Sequence, residues 1–146
     1  MKIGVLGAGN ISSMVAPTMA EMPQIECYAV SSRSLEKATA FAERFGFQKA
    51  YGSYEEMLRD PEVELVYVAT PHSHHFEHMM LCLEYGKPIL CEKAFTLNAD
   101  QAKRVQQTAA EKGIFVAEAI WPRYMPSRKV ISEVMNSGII GMPNTL

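Results

Sequence analysis

The chain has 146 residues, 48% of them hydrophobic, with 14 basic and 16 acidic side chains leaving a formal charge of −2. That length fills one ordinary domain rather than two. The balanced charge without a Lys/Arg block argues against a nucleic-acid surface, and no apolar run approaches the roughly 20 residues of a membrane span, so small molecules or other proteins are the expected partners.

Ile3 to Leu6 reads as the first strand; Lys2 before it imitates the start of a signal peptide, but Gly7, Gly9 and Asn10 break the apolar stretch too early. At its end Gly7-Ala8-Gly9-Asn10-Ile11-Ser12 turns the chain into a helix predicted over Asn10 to Ala20. A strand ending in Gly-x-Gly and running straight into a helix offers free backbone N–H groups and the positive end of a helix dipole, a site for a pyrophosphate. Taken alone, with Ser12 in the third position, the motif is equally compatible with a tight turn.

Ile25 to Val30 reads as the second strand, followed by a helix with Leu35, Ala38, Phe41, Ala42 and Phe45 at helical spacing and Gly46 at its C-terminus. Tyr51 closes a short third strand, Ser53-x-x-Glu56 signals a capped helix, and Glu64 to Ala69 is a continuous apolar strand of the buried parallel kind. A helix with Phe76, Met79, Met80 and Leu83 on one face follows, then the strand Pro88 to Cys91, then a helix capped by Asn98 with Ala102, Val105 and Ala109. Ile114 to Ala117 makes the sixth strand. Unbroken alternation of this kind predicts an α/β fold: a Rossmann-type, doubly wound parallel sheet of about six strands, with the glycine turn at its first strand-to-helix junction.

Ser31-Ser32-Arg33-Ser34 occupies the end of the second strand, where sites selecting NAD place a carboxylate for the ribose hydroxyls. Hydroxyls and a guanidinium suit a 2′-phosphate instead, so NADP is favoured over NAD. The plainer alternative is a solvent loop in which Ser34 caps the next helix.

Thr70-Pro71-His72-Ser73-His74-His75-Phe76-Glu77-His78 follows the fourth strand. His74 and His78 share a helix face, but a third metal ligand at a recognised spacing is missing and Glu77 turns away on a helical wheel, so no metal is expected. The cluster reads better as cleft lining at the topological switch point. Glu92-Lys93 follows the next strand, and Lys93 there is placed to exchange the proton that accompanies hydride transfer; the alternative is a surface lysine paired with Glu92. Cys27, Cys82 and Cys91, odd in number and on apolar elements, read as free thiols in a reducing compartment, hence a cytoplasmic protein.

Gly7-x-Gly9 with Asn10, Ser31-Ser32-Arg33, Tyr51-Gly52-Ser53-Tyr54-Glu55-Glu56, Thr70-Pro71 with His75, Glu92-Lys93 and Glu118-Ala119-Ile120-Trp121-Pro122-Arg123 occur in the order and spacing of one family. Throughout its length the chain resembles the glucose-fructose oxidoreductase and inositol dehydrogenase (Gfo/Idh/MocA) family, and within it the dihydrodiol and xylose dehydrogenase branch. The resemblance implies reversible NAD(P)-dependent oxidation of a sugar, polyol or cyclic diol. It makes Lys93 the catalytic lysine, places Thr70, Pro71 and His75 at the cofactor cleft, and places Trp121 and Arg123 near the nicotinamide. The expected cofactor-binding set is therefore Gly7, Gly9, Asn10, Ile11, Ser31, Ser32, Arg33, Thr70, Pro71, His72, His75, Glu92, Lys93, Trp121 and Arg123.

Ser12 departs from the family's small third residue, which is expected to loosen the helix on the strand, and Ala94 replaces its usual proline. The family also continues into an antiparallel α/β substrate domain, implicated in homodimer formation, that is absent from these residues. The cofactor domain is expected over 1–123, with 124–146 forming a crossover helix (Ser127 to Asn136, apolar at Val130, Ile131, Val134 and Met135) and the start of the next domain's first strand. A truncated chain that binds NADP without a complete substrate site is the resulting expectation; a non-catalytic NADP-binding sensor or regulatory module is the alternative.

Overall fold

The computed structural model describes residues 1–141, so the expected first strand of a following domain, over 142–146, lies outside the described residues. Six strands, β1 (Lys2–Leu6), β2 (Glu26–Ser31), β3 (Lys49–Tyr51), β4 (Leu65–Val68), β5 (Ile89–Cys91) and β6 (Val116–Glu118), form one sheet in the order β3-β2-β1-β4-β5-β6. Every neighbouring pair is parallel. This is the doubly wound dinucleotide-binding order, whose reversal between β1 and β4 opens a crevice at the carboxyl ends of the strands.

The helices are α1 (Asn10–Glu21), α2 (Leu35–Phe45), α3 (Tyr54–Arg59), α4 (His75–Glu84), α5 (Ala99–Lys112) and α6 (Pro126–Asn136). One core joins Ile3, Val5, Val30 and Tyr67 of the sheet to Ala16 and Met19 of α1 and Phe41 of α2. The other joins Leu6, Val66, Val68 and Ile89 to Met57 of α3, Met79 and Leu83 of α4 and Val105 of α5. Alternate residues of β1 and β4 thus serve opposite faces, as the two-residue period of a strand buried on both sides requires.

The helix signals act as their chemistry dictates. Ser34, Ser53 and Asn98 accept from the N–H of Lys37, Glu56 and Gln101 respectively, and Gly46 closes α2 at φ 75°. β6 begins two residues later than the sequence pattern suggests, because Gly113 adopts φ 65° and the Ile114 N–H donates to Ala109 O, finishing α5. His72, Ser73 and His74 form a 3₁₀ turn ahead of α4 rather than its first turn. α6 stands clear of the sheet with Val130, Ile131, Val134 and Met135 exposed.

Asp60, at the end of α3, is a polar hub that the sequence pattern does not reveal. Its carboxylate accepts from Tyr28 OH at 3.0 Å, Tyr51 OH at 2.6 Å, Lys49 Nζ at 2.8 Å and the Glu62 N–H at 3.0 Å, tying α3 to β2 and β3. Burial works against this carboxylate, but the four hydrogen bonds outweigh it and hold its pKa well below the usual range. A depressed folded-state pKa contributes stability that is present above the unfolded value near 4 and lost as pH falls below it. Asp60→Asn is therefore expected to cost about 2 kcal/mol at pH 7 and progressively less below about pH 4. Urea melts at the two pH values check this, and an equal loss at both would refute it.

Candidate dinucleotide site

The turn after β1 is built around Gly7. Its φ is 110°, and a Cβ there would lie 3.0 Å from Thr70 Cγ2 and 3.1 Å from Ala69 O, so both backbone conformation and space require glycine. Gly9 is the N-cap of α1, in extended conformation, with open space where a Cβ would stand and no side-chain cap on the helix. The first N–H groups of α1, through Asn10, Ile11 and Ser12, precede its hydrogen-bonding ladder and thus present donors without a helical partner. Ser12 does not loosen the helix as expected: it is buried, and its hydroxyl donates to Gly7 O, pinning the turn to α1.

Across from this helix end, Thr70, Pro71 and His72 line a cleft of about 390 Å³ with Gly9, Asn10, Ile11 and Ala69. Pro71 also walls a smaller pocket of about 80 Å³ whose other sides are Arg33, Tyr54, His74 and His78. The two depressions lie along the crevice and bring the glycine turn, the arginine after β2 and the loop after β4 together. A dinucleotide fits this donor set: unsatisfied N–H groups for a pyrophosphate, then a guanidinium and flat rings at the next subsite.

Several expected contact residues face elsewhere. Ser31 is fully buried, and its hydroxyl donates to Val5 O inside the sheet, so of the predicted hydroxyls only Ser32 and Ser34 stand at the loop. His75 is also fully buried. Its Nδ1 lies 2.8 Å from Ala94 O and its Nε2 2.8 Å from Thr70 O, so the ring ties the loop after β4 to the loop after β5 from behind the cleft. A side chain enclosed by two main-chain carbonyls has no free edge for a cofactor.

His78 hydrogen-bonds Thr70 Oγ1 at 2.8 Å and packs edge-on against Tyr54. Burial, reinforced by neighbouring His74, pushes its pKa down to about 4, so it is neutral at physiological pH. Glu77 approaches His74 Nδ1 at 3.6 Å instead of turning away, because His74 sits in the 3₁₀ turn rather than on the helix. Among the described residues no group of three or more His, Cys, Asp or Glu side chains is placed to hold a metal. Burial pushes the Cys91 thiol up to about 12 and raises those of Cys82 and Cys27 as well, and all three cysteines are free.

Lys93 is exposed just beyond β5, and among the described residues its ammonium has neither an ion-pair nor a hydrogen-bond partner. Glu92 is not paired with it. One Glu92 oxygen accepts from Tyr67 OH at 2.6 Å and the other from the Lys93 N–H at 3.3 Å. Farther along the loop the Phe95 N–H donates to Glu118 at 2.9 Å. Trp121, 64% exposed, borders an apolar groove of about 740 Å³ with Tyr67, Leu90, Glu92 and Ala119, while the Arg123 side chain lies exposed on the 3₁₀ turn Trp121–Tyr124. Sequence reasoning missed Tyr54 and Tyr67. The signal for Tyr67 was a lone hydroxyl-bearing ring in an aliphatic strand.

The family model for oxidoreductases with an NAD-binding Rossmann fold, Gfo/Idh/MocA, matches residues 1–119. The chain is 39% identical over 143 residues to trans-1,2-dihydrobenzene-1,2-diol dehydrogenase of Mus musculus, covering 97% of this chain and 43% of that protein. It is 44% identical over 153 residues to D-xylose 1-dehydrogenase (NADP(+)) of Hypocrea jecorina, covering 97% and 39%. A 3-ketoreductase from Actinomadura kijaniata, solved in complex with NADP, superimposes with a TM-score of 0.90 at 30% identity over 97% of this chain and 45% of that one. The chain thus spans less than half the length of these relatives. No helix among the described residues is long and apolar enough to cross a membrane.

Proposed function

The chain belongs to the Gfo/Idh/MocA oxidoreductase family, and from that premise we propose that it is the NADP-binding domain of a dehydrogenase acting on a CH–OH group of a sugar, polyol or cyclic diol. The observation that carries the proposal is the exposed Arg33 on the same crevice as the uncapped end of α1, with no carboxylate at the end of β2. An NAD-selecting carboxylate there would repel a 2′-phosphate, whereas a guanidinium accepts it with forked, charge-assisted hydrogen bonds.

In this reading the N–H groups at Gly9, Asn10 and Ile11 hold the pyrophosphate, and Gly7 allows the close approach of strand and helix behind it. Arg33, with Ser32 beside it, takes the 2′-phosphate, and Tyr54, Pro71 and His74 border the adenosine end. Thr70, Pro71 and His72 close the opposite wall, while Trp121 and Arg123 stand toward the nicotinamide. The bound NADP supplies hydride chemistry; Lys93 gives or takes the proton of the substrate oxygen. The dihydrodiol and xylose substrates in the names of the relatives motivate the substrate class. Free thiols motivate a cytoplasmic setting, and a homodimer rests on the family resemblance alone.

Titration of the chain with NADPH, followed by nicotinamide fluorescence, is expected to show saturable binding that NADH matches only at higher concentration. Absence of binding to either would overturn the reading.

A further inference from the structure

Glu92 and Lys93 are adjacent, oppositely charged and on the loop that presents the proposed proton carrier, yet they form no ion pair. Both Glu92 oxygens are engaged elsewhere, one by the phenol of Tyr67, a side chain only 2% exposed in β4, and the other by the Lys93 main-chain N–H. The same loop is tied at Ala94 O by His75 and at the Phe95 N–H by Glu118, and the Glu92 N–H donates to Val68 O. We infer that Tyr67 is a positioning residue for Lys93: its hydroxyl holds the Glu92 carboxylate turned inward, so that the Lys93 ammonium stays unpaired and free to exchange a proton. This inference rests on the reading of Lys93 as the proton carrier.

The chemistry follows from what the phenol withholds. A carboxylate released beside a lysine pairs with it through charge-assisted hydrogen bonds, and a nearby opposite charge favours the charged form of the amine. An ammonium locked in that pair is a poorer proton donor and, deprotonating only at higher pH, a scarcer base. The phenol also suits the task because burial and the hydrogen bond to Glu92 both raise its own pKa, keeping the proton on the donor side. Phenylalanine at this position keeps the ring and its packing and removes only the hydrogen bond.

The test reads the Lys93 amine directly, by competitive acetylation of the 146-residue chain across pH with Lys93 acetylation quantified by mass spectrometry. Tyr67→Phe is expected to raise the pH of half-maximal labelling of Lys93 by about one unit. In the Glu92→Gln background the same substitution is expected to change nothing, because the neutral amide has no charge to release. No rise in the first case, or an equal rise in both backgrounds, would overturn the inference; the second result would mean a general loosening of the loop. Should Tyr67→Phe disturb the fold, Glu92→Gln alone still decides: a carboxylate already held inward leaves the midpoint little changed when it is neutralised, whereas a fall of about one unit would mean that Glu92 pairs with Lys93 and would overturn the inference. The labelling is independent of turnover, so a catalytically silent Lys93 whose labelling still follows Tyr67 would sink the catalytic reading and leave this one standing.

Discussion

Replacing Lys93 by methionine, in a chain of the relatives' full length carrying this domain, is expected to lower kcat by about 100- to 10,000-fold with little change in NADPH affinity. Proton transfer by a positioned side chain contributes a factor of that order, and methionine keeps the length of the stem while removing the exchangeable proton. The cofactor keeps its main anchors because the pyrophosphate donors lie on α1, which follows β1, and the 2′-phosphate partner on the loop after β2, two and three strands from β5 in the sheet order. Steady-state kinetics with pentoses and cyclic diols, beside a fluorescence titration of NADPH, separate the two effects. A variant retaining full turnover would remove Lys93 from the chemistry; one that loses NADPH binding would assign it to the cofactor instead.

Arg33→Ala is expected to weaken NADPH binding by about 1.5 to 3 kcal/mol, roughly a 10- to 150-fold rise in Kd, while NADH binding changes little. The reasoning is local. Arg33 is exposed, borders the pocket it shares with Tyr54, Pro71, His74 and His78, and makes no ion pair among the described residues, so its loss breaks no internal ion pair. Neutral His78 leaves the guanidinium as the permanent positive charge of that pocket at pH 7. Equal loss for both cofactors would place Arg33 against the adenine rather than the phosphate, and no loss for either would return it to the solvent.

Much of the architecture is legible because it is local. Strand length, helix caps and the positive φ of the Gly7 turn each depend on residues within a few positions of one another, so Ser53, Asn98, Gly46 and Gly7 behave as their chemistry requires. Ser31 and His75 are buried for one shared reason. Ser31 ends β2 and His75 opens α4, both where a cleft-facing side chain was expected, but one lies within the pleat and the other under a loop, each bonded to carbonyl oxygens of another segment. A residue type announces what it can bond to; it does not announce which partner the fold brings within reach.

The sequence by itself determined the parallel sheet, the glycine turn at its first junction, the missing carboxylate after β2 and the lysine after β5, because each follows from periodicity or from chemistry within one segment. Only the tertiary structure decided that Glu92 bonds to Tyr67 and not to Lys93, that His75 is a buried tie between two loops, that Ser12 holds the turn, and that Asp60 gathers two tyrosines and a lysine. Those partners are 25, 19, 5 and up to 32 residues apart in the chain. Their meeting depends on strand register and on which face of the sheet each side chain enters, and a shift of one residue in register would turn every one of those strand side chains to the opposite face.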